Sequence, residues 1–136
     1  MLINEWQYEL TIWIWLGIAA GTFLLLMFVR APYGRHERPG WGPRIPARLG
    51  WILMESPCIV VMTVFFGIAA SGWNLADPVG IIFYIMWTGH YIHRSWVWPA
   101  RARITGKKMP ISLILFAIGF NGINSWINAE WMFSLH

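Results

Sequence analysis

The 136-residue chain is 57% hydrophobic and only 12% charged, about half the charge of an ordinary soluble domain. A soluble fold of this composition would lack the polar surface to cover itself. The formal charge of +4, from ten basic and six acidic residues, sits in loops with no folded basic module around them, which argues against nucleic acid as a partner.

Four stretches reach the roughly 20 helical residues needed to cross a bilayer. The first, Leu10 to Val29, holds no charge. It is too long for a signal-peptide core and no small-residue cleavage site follows, so it is expected to remain in the mature protein. A basic loop comes next, with Arg30, Arg35, Arg38, Arg44 and Arg48. The second span, Gly50 to Ala70, carries Glu55 and the single cysteine, Cys58, expected to serve packing. The third, Pro78 to Trp98, carries Tyr91 and Arg94, and leads into a second basic loop with Arg101, Arg103, Lys107 and Lys108. The fourth is Pro110 to Asn128. These stretches predict an all-α, polytopic membrane protein of about four transmembrane helices, with residues 1–136 forming a single membrane domain.

The charges also predict an orientation. Both basic loops belong in the cytoplasm by the positive-inside rule. Glu5, Glu9, Asp77 and Glu130 fall at the opposite helix ends, so the N-terminus faces outside or lumenally, in a bacterial inner membrane or the endoplasmic reticulum. Many of the eleven tryptophans lie near span ends, as an interfacial aromatic belt requires.

The informative residues are those that a membrane excludes. Glu55 and Arg94 each cost at least roughly 2.5 to 3.5 kcal/mol at a bilayer centre if they face lipid. Counted from their helix ends at about 1.5 Å per residue, Glu55, Tyr91 and Arg94 lie roughly 6 to 12 Å deep on the same side and can meet. Helical spacing puts Trp51, Glu55, Cys58 and Met62 on one face of the second span. Trp87, His90 with Tyr91, Arg94 and Trp98 share a face of the third, and Asn121, Asn124 with Ser125, and Asn128 a face of the fourth. Such stripes can simply join helices through hydrogen bonds. A buried acid beside a phenol and a guanidinium suits a second role, donation to a developing oxyanion in a dry pocket. His90 and His93 lie one turn apart, but with His36 and His136 as the only other histidines no metal site is expected.

Tyr33-Gly34-Arg35-His36, Ile45-Pro46-Ala47-Arg48 and Trp51-Ile52-Leu53-Met54-Glu55-Ser56-Pro57 together resemble the "YG+ … LPAR … W-F-L-Q-E-L-P" signature of the steroid 5α-reductase family, the 3-oxo-5α-steroid 4-dehydrogenases. His90-Tyr91-Ile92-His93-Arg94 is similar to the family's "H-Y-x-H-R", and Gly106-Lys107-Lys108-Met109-Pro110 with Asn121-Gly122 to its "G-+-x-x-P … N-G". The resemblance implies NADPH-dependent reduction of the double bond conjugated to a steroid ketone. Hydride goes to the β-carbon, an enolate forms, and a proton arrives at the α-carbon. Carried over by motif, Glu55 and Tyr91 are the catalytic pair that holds the ketone oxygen. Trp51, Arg94 and Asn121 fall on the substrate side, and Arg103 and Lys107 near the cofactor phosphates. Met54 and Ser56 depart from the family's glutamine and leucine, which touches substrate identity.

Members of that family typically have seven spans, with most nicotinamide contacts in the C-terminal half. The resemblance therefore implies that residues 1–136 form the N-terminal part of a longer fold, completed by a C-terminal half or a partner chain, with a lipid enone as substrate and membrane lipid as surroundings. The alternatives are an ene-reductase for a polyprenal or an enoyl thioester, or a non-catalytic four-helix membrane subunit.

Overall fold

The computed structural model describes residues 3–29, 40–72 and 78–135. The Tyr33–His36 motif, Arg30, Arg38, Trp73, Asp77 and His136 lie outside the described residues.

Helix α1 (Glu5–Phe28) begins at Asn4. The Asn4 side chain accepts the Gln7 N–H at 2.9 Å, and Gln7 Oε1 accepts the Asn4 N–H at 3.1 Å, a reciprocal cap that satisfies two amide donors the helix leaves open. There follow β1 (Arg44–Pro46), α2 (Ala47–Gly72), α3 (Pro78–Ile92), a π turn (His93–Val97) and α4 (Trp98–Arg101). The chain continues through β2 (Lys108–Pro110) and α5 (Ile111–Glu130), which runs into a second π turn (Trp131–Leu135).

Among the described residues, three helical stretches are long and apolar enough to cross a membrane: Glu5–Phe28, Ala47–Ser71 and Ile111–Ser134. The architecture is that of an all-α integral membrane protein, as expected. The remaining predicted span, residues 78–98, is helical throughout, but the π turn leaves α3 with only 15 residues. Its cause is Pro99. In a regular helix a proline ring strikes the carbonyl four residues back, here that of Ser95, and widening the turn relieves the clash. The Trp98 N–H accordingly reaches back to the His93 carbonyl.

The two three-residue strands pair antiparallel, with Ile45 opposite Met109. Helical periodicity carries no sign of them. Their pairing joins the ends of the two basic loops at one end of the bundle, and α2 and α5 both set out from that ribbon. Gly50 permits the close approach there, since a Cβ would lie 3.0 Å from Met109 Sδ and 3.1 Å from Ile114 Cδ1. The helices α2 and α5 then run parallel, with Met54 matched to Asn121 and Met62 to Ala129 and Phe133. Helix α3 runs against α2, matching Tyr84 to Thr63 and Phe66.

Lipid is as apolar as these side chains, so helix association rests on close packing and interhelical hydrogen bonds. Ala47, Met54, Met109 and Ile114 form one apolar cluster beside the ribbon, while Met62, Ala69, Ala129 and Phe133 form another towards the far end. Between them lies a layer of buried polar groups, Glu55, Cys58 and Ser125. Helix α1 docks on α5 by the Tyr8 hydroxyl, which donates to the Ile127 carbonyl at 3.1 Å, and by Trp15 against Phe120. Residues 20–28 of α1 are exposed, as an apolar helix in lipid can be.

Candidate active site

The site is built on the segment of α2 from Trp51 to Cys58. Glu55 is 3% exposed, and its Oε1 accepts the Arg94 Nε–H at 2.7 Å. The pairing follows from the depths of the two residues on antiparallel helices. The π turn begins at His93 and holds Arg94 in its wider first turn. The guanidinium also lies 5.5 Å from the centre of the Trp51 ring, a cation–π distance. Trp51 in turn meets Trp98 edge-on at 4.7 Å. The Arg94 side chain remains 47% exposed against 4% for Glu55, so the pair presents its cationic member outward.

Tyr91 sits one turn before Arg94. Its ring packs on Trp87 at 5.1 Å and meets His90 edge-on at 5.0 Å, while its hydroxyl lies beside the Cys58 thiol. Tyr91 and Glu55 form no direct hydrogen bond with each other among the described residues. Among the described residues, the buried carboxylate is held by Arg94, through Oε1.

Asn121, expected on the substrate side, uses its side chain on the backbone. Its Nδ2 donates to the Met54 carbonyl at 2.6 Å, and Cys58 Sγ donates to the Asn121 carbonyl at 3.8 Å. Trp87 Nε1 donates to the Cys58 carbonyl at 3.1 Å, and Ser56 Oγ to the Ile52 carbonyl at 2.6 Å. Neither the Asn121 nor the Trp87 contact was foreseen from the sequence. The signal that could have pointed to them is Pro57, which lies inside α2 and removes a donor from its hydrogen-bond ladder. At the two positions that depart from the family pattern, Met54 is buried in the apolar cluster and the Ser56 hydroxyl is bonded within its own helix.

Arg103 and Lys107 are both exposed, in the connection from α4 to β2. Gly106 turns that connection with φ of +79°, a conformation that disfavours any side chain. The Lys107 carbonyl accepts the Ala47 N–H at 2.9 Å, and Arg48 Nε donates to the Pro99 carbonyl at 2.9 Å. The same end of the bundle thus carries exposed Arg48, Arg101, Arg103, Lys107 and Lys108, a cationic rim suited to an anion such as a polyphosphate. No group of three or more His, Cys, Asp or Glu side chains assembles among the described residues.

Fold and site together define an integral membrane protein whose helices hold a buried carboxylate, paired with a half-exposed guanidinium, beside a phenol. The chain is 38% identical over 118 residues to the protein named steroid 5-alpha-reductase DET2 of Gossypium hirsutum, a match covering 85% of this chain and 45% of the relative. It is 34% identical to the protein of that name from Arabidopsis thaliana, over 82% of this chain and 43% of the relative. Against 3-oxo-5-alpha-steroid 4-dehydrogenase 1 of Macaca fascicularis it is 30% identical, over 74% of this chain and 37% of the relative. By this similarity, which covers most of the chain, it belongs to the steroid 5α-reductase family. The chain spans less than half the length of these relatives. No protein-family profile matches it.

Proposed function

We propose that this chain is the substrate-activating part of a membrane enzyme that reduces the conjugated double bond of a 3-oxo-Δ4-steroid. The observation that carries the reading is the buried Glu55 carboxylate, held by Arg94 at 2.7 Å beside Tyr91, in a chain whose relatives are named for steroid 5α-reduction. The Tyr91 hydroxyl donates to the ketone oxygen and strengthens that bond as negative charge grows there. In apolar surroundings such a preorganised donor acts without the reorganisation that water would require. Glu55 fixes the guanidinium while ionised, when it can only accept hydrogen bonds, and adds a donor of its own from Oε2 when protonated. Trp51 supplies an aromatic wall, and Asn121 orders the helix that carries Glu55.

NADPH is the expected reductant, supplying a hydride to the β-carbon. The exposed Arg103 and Lys107 fit its phosphates by charge, with the remaining contacts supplied by a C-terminal half or partner chain. The double bond becomes a single bond, with one hydride at the β-carbon and one proton at the α-carbon. In the proposed orientation the basic rim faces the cytoplasm, where the cofactor is dissolved.

The test is NADPH consumption by the complete protein in lipid nanodiscs, with the product identified by a mass gain of two hydrogens. A 3-oxo-Δ4-steroid should be reduced and its saturated analogue left unchanged. Reduction of a polyprenal or enoyl thioester but no steroid would replace the substrate class. Absence of reduction across the whole panel, with NADPH bound, would overturn the enzymatic reading.

A further inference from the structure

Helix α2 is continuous from Ala47 to Gly72 but carries Pro57 inside it, beside the site. Pro57 has no N–H, so the Leu53 carbonyl loses its partner four residues on, and the proline ring crowds the same turn. Inside a membrane a turn short of one backbone hydrogen bond can be steadied by side chains of neighbouring helices. Two neighbours reach in. On one side of Pro57 Asn121 of α5 donates to the Met54 carbonyl at 2.6 Å, and on the other Trp87 of α3 donates to the Cys58 carbonyl at 3.1 Å. The α5 contact is reciprocal, since Cys58 Sγ donates back to the Asn121 carbonyl. Glu55 lies between the two fastened carbonyls.

We infer that Asn121 and Trp87 are positioning residues, which clamp the proline-weakened turn of α2 by the carbonyls on either side of Pro57 and thereby aim the Glu55 carboxylate at Arg94. The clamp gives Asn121 a role that requires no substrate contact. It rests on the geometry of the chain, and only its effect on turnover rests on the reductase reading. Substitutions that delete one donor while keeping bulk, Asn121→Leu and Trp87→Phe, should let the turn rotate and loosen the Glu55–Arg94 pair. Restoring the missing amide with Pro57→Ala should make the pair independent of the clamp.

The experiment is infrared difference spectroscopy of the complete protein in nanodiscs without substrate, with the Glu55 carboxyl band assigned by its loss in Glu55→Gln. Asn121→Leu and Trp87→Phe should each shift that band, and neither should shift it in the Pro57→Ala background. Two single substitutions guard against one of them failing to fold. An unshifted band in either folded variant, or an equal shift with and without Pro57, overturns the clamp and leaves Asn121 as a direct substrate contact. If enones are reduced, Asn121→Leu should lower kcat, on the order of 10²-fold for an ångström of misplacement, with KM nearly constant. A shifted band in a protein that reduces no enone keeps the clamp and removes the proposed function.

Discussion

The Glu55–Arg94 pair predicts an asymmetry in stability that a surface ion pair would not show. Glu55 is almost fully buried, whereas Arg94 keeps nearly half of its side chain exposed. Arg94→Met therefore strands an uncompensated charge in the interior, a change that costs about 3 kcal/mol, at the low end for breaking a buried pair. Glu55→Gln leaves a guanidinium that can turn outward, and should cost about 1 kcal/mol or less, as for a partly exposed ion pair. The double variant should cost less than Arg94→Met alone, because the stranded charge is gone. Unfolding in mixed detergent micelles, followed by tryptophan fluorescence, measures all three variants against the parent. The expected order is a fall of roughly 10²-fold in the folding equilibrium for Arg94→Met, with most of it recovered in the double variant. Equal losses for the two single variants, or strict additivity in the double, would refute the idea that the buried carboxylate depends on Arg94.

Tyr91→Phe keeps the ring against Trp87 and deletes one donor, so stability should hold while turnover of the complete enzyme falls by about 10² to 10³; a change in melting temperature with unchanged turnover would make Tyr91 structural. Arg103→Glu with Lys107→Glu should weaken NADPH binding by about tenfold or more, with a loss that shrinks at high salt, and unchanged affinity in a titration would remove both residues from the cofactor site. With Cys58 replaced by serine, cysteines introduced at Arg48 and Arg103 should react with a membrane-impermeant maleimide from the cytoplasmic face, and one at Ile3 from the other. Labelling of Arg48 and Arg103 from opposite faces would contradict the ribbon itself. Pro99→Ala should let the π turn relax to regular helix and rotate Arg94 away from Glu55, which a shift of the Glu55 infrared band would reveal.

The helices were legible because a membrane permits few alternatives. Apolar runs of sufficient length had to become helix, and the predicted spans and observed elements agree to within a few residues at most ends, α1 starting five residues earlier than expected. What escaped were features too short for periodicity. Three-residue strands at Arg44–Pro46 and Lys108–Pro110 offer no alternation to detect, and each ends at a proline that reads as a helix boundary. The π turn was hidden for a different reason. Pro99 marks a disturbance one turn upstream, but a kink, a break and a widened turn all satisfy the same steric demand, and the neighbours in three dimensions decide among them.

The site divides along the same line. Helical spacing identifies which side chains share a face, and it brought Glu55, Tyr91 and Arg94 to one depth from sequence alone. It does not say where each donor and acceptor is used. Glu55 had two candidate partners, and the carboxylate went to Arg94 while Tyr91 turned to Cys58 and Trp87. An ion has more to lose than a phenol when desolvated, so the guanidinium takes the carboxylate first. Asn121 shows the converse, a polar side chain on the expected face whose donor goes to the Met54 carbonyl, next to the Leu53 carbonyl that Pro57 deprives of its amide. In a membrane every backbone carbonyl left without a partner competes with substrate for the same side chains. A polar residue near a proline in a spanning helix is therefore best assigned only after the backbone's own demands have been met.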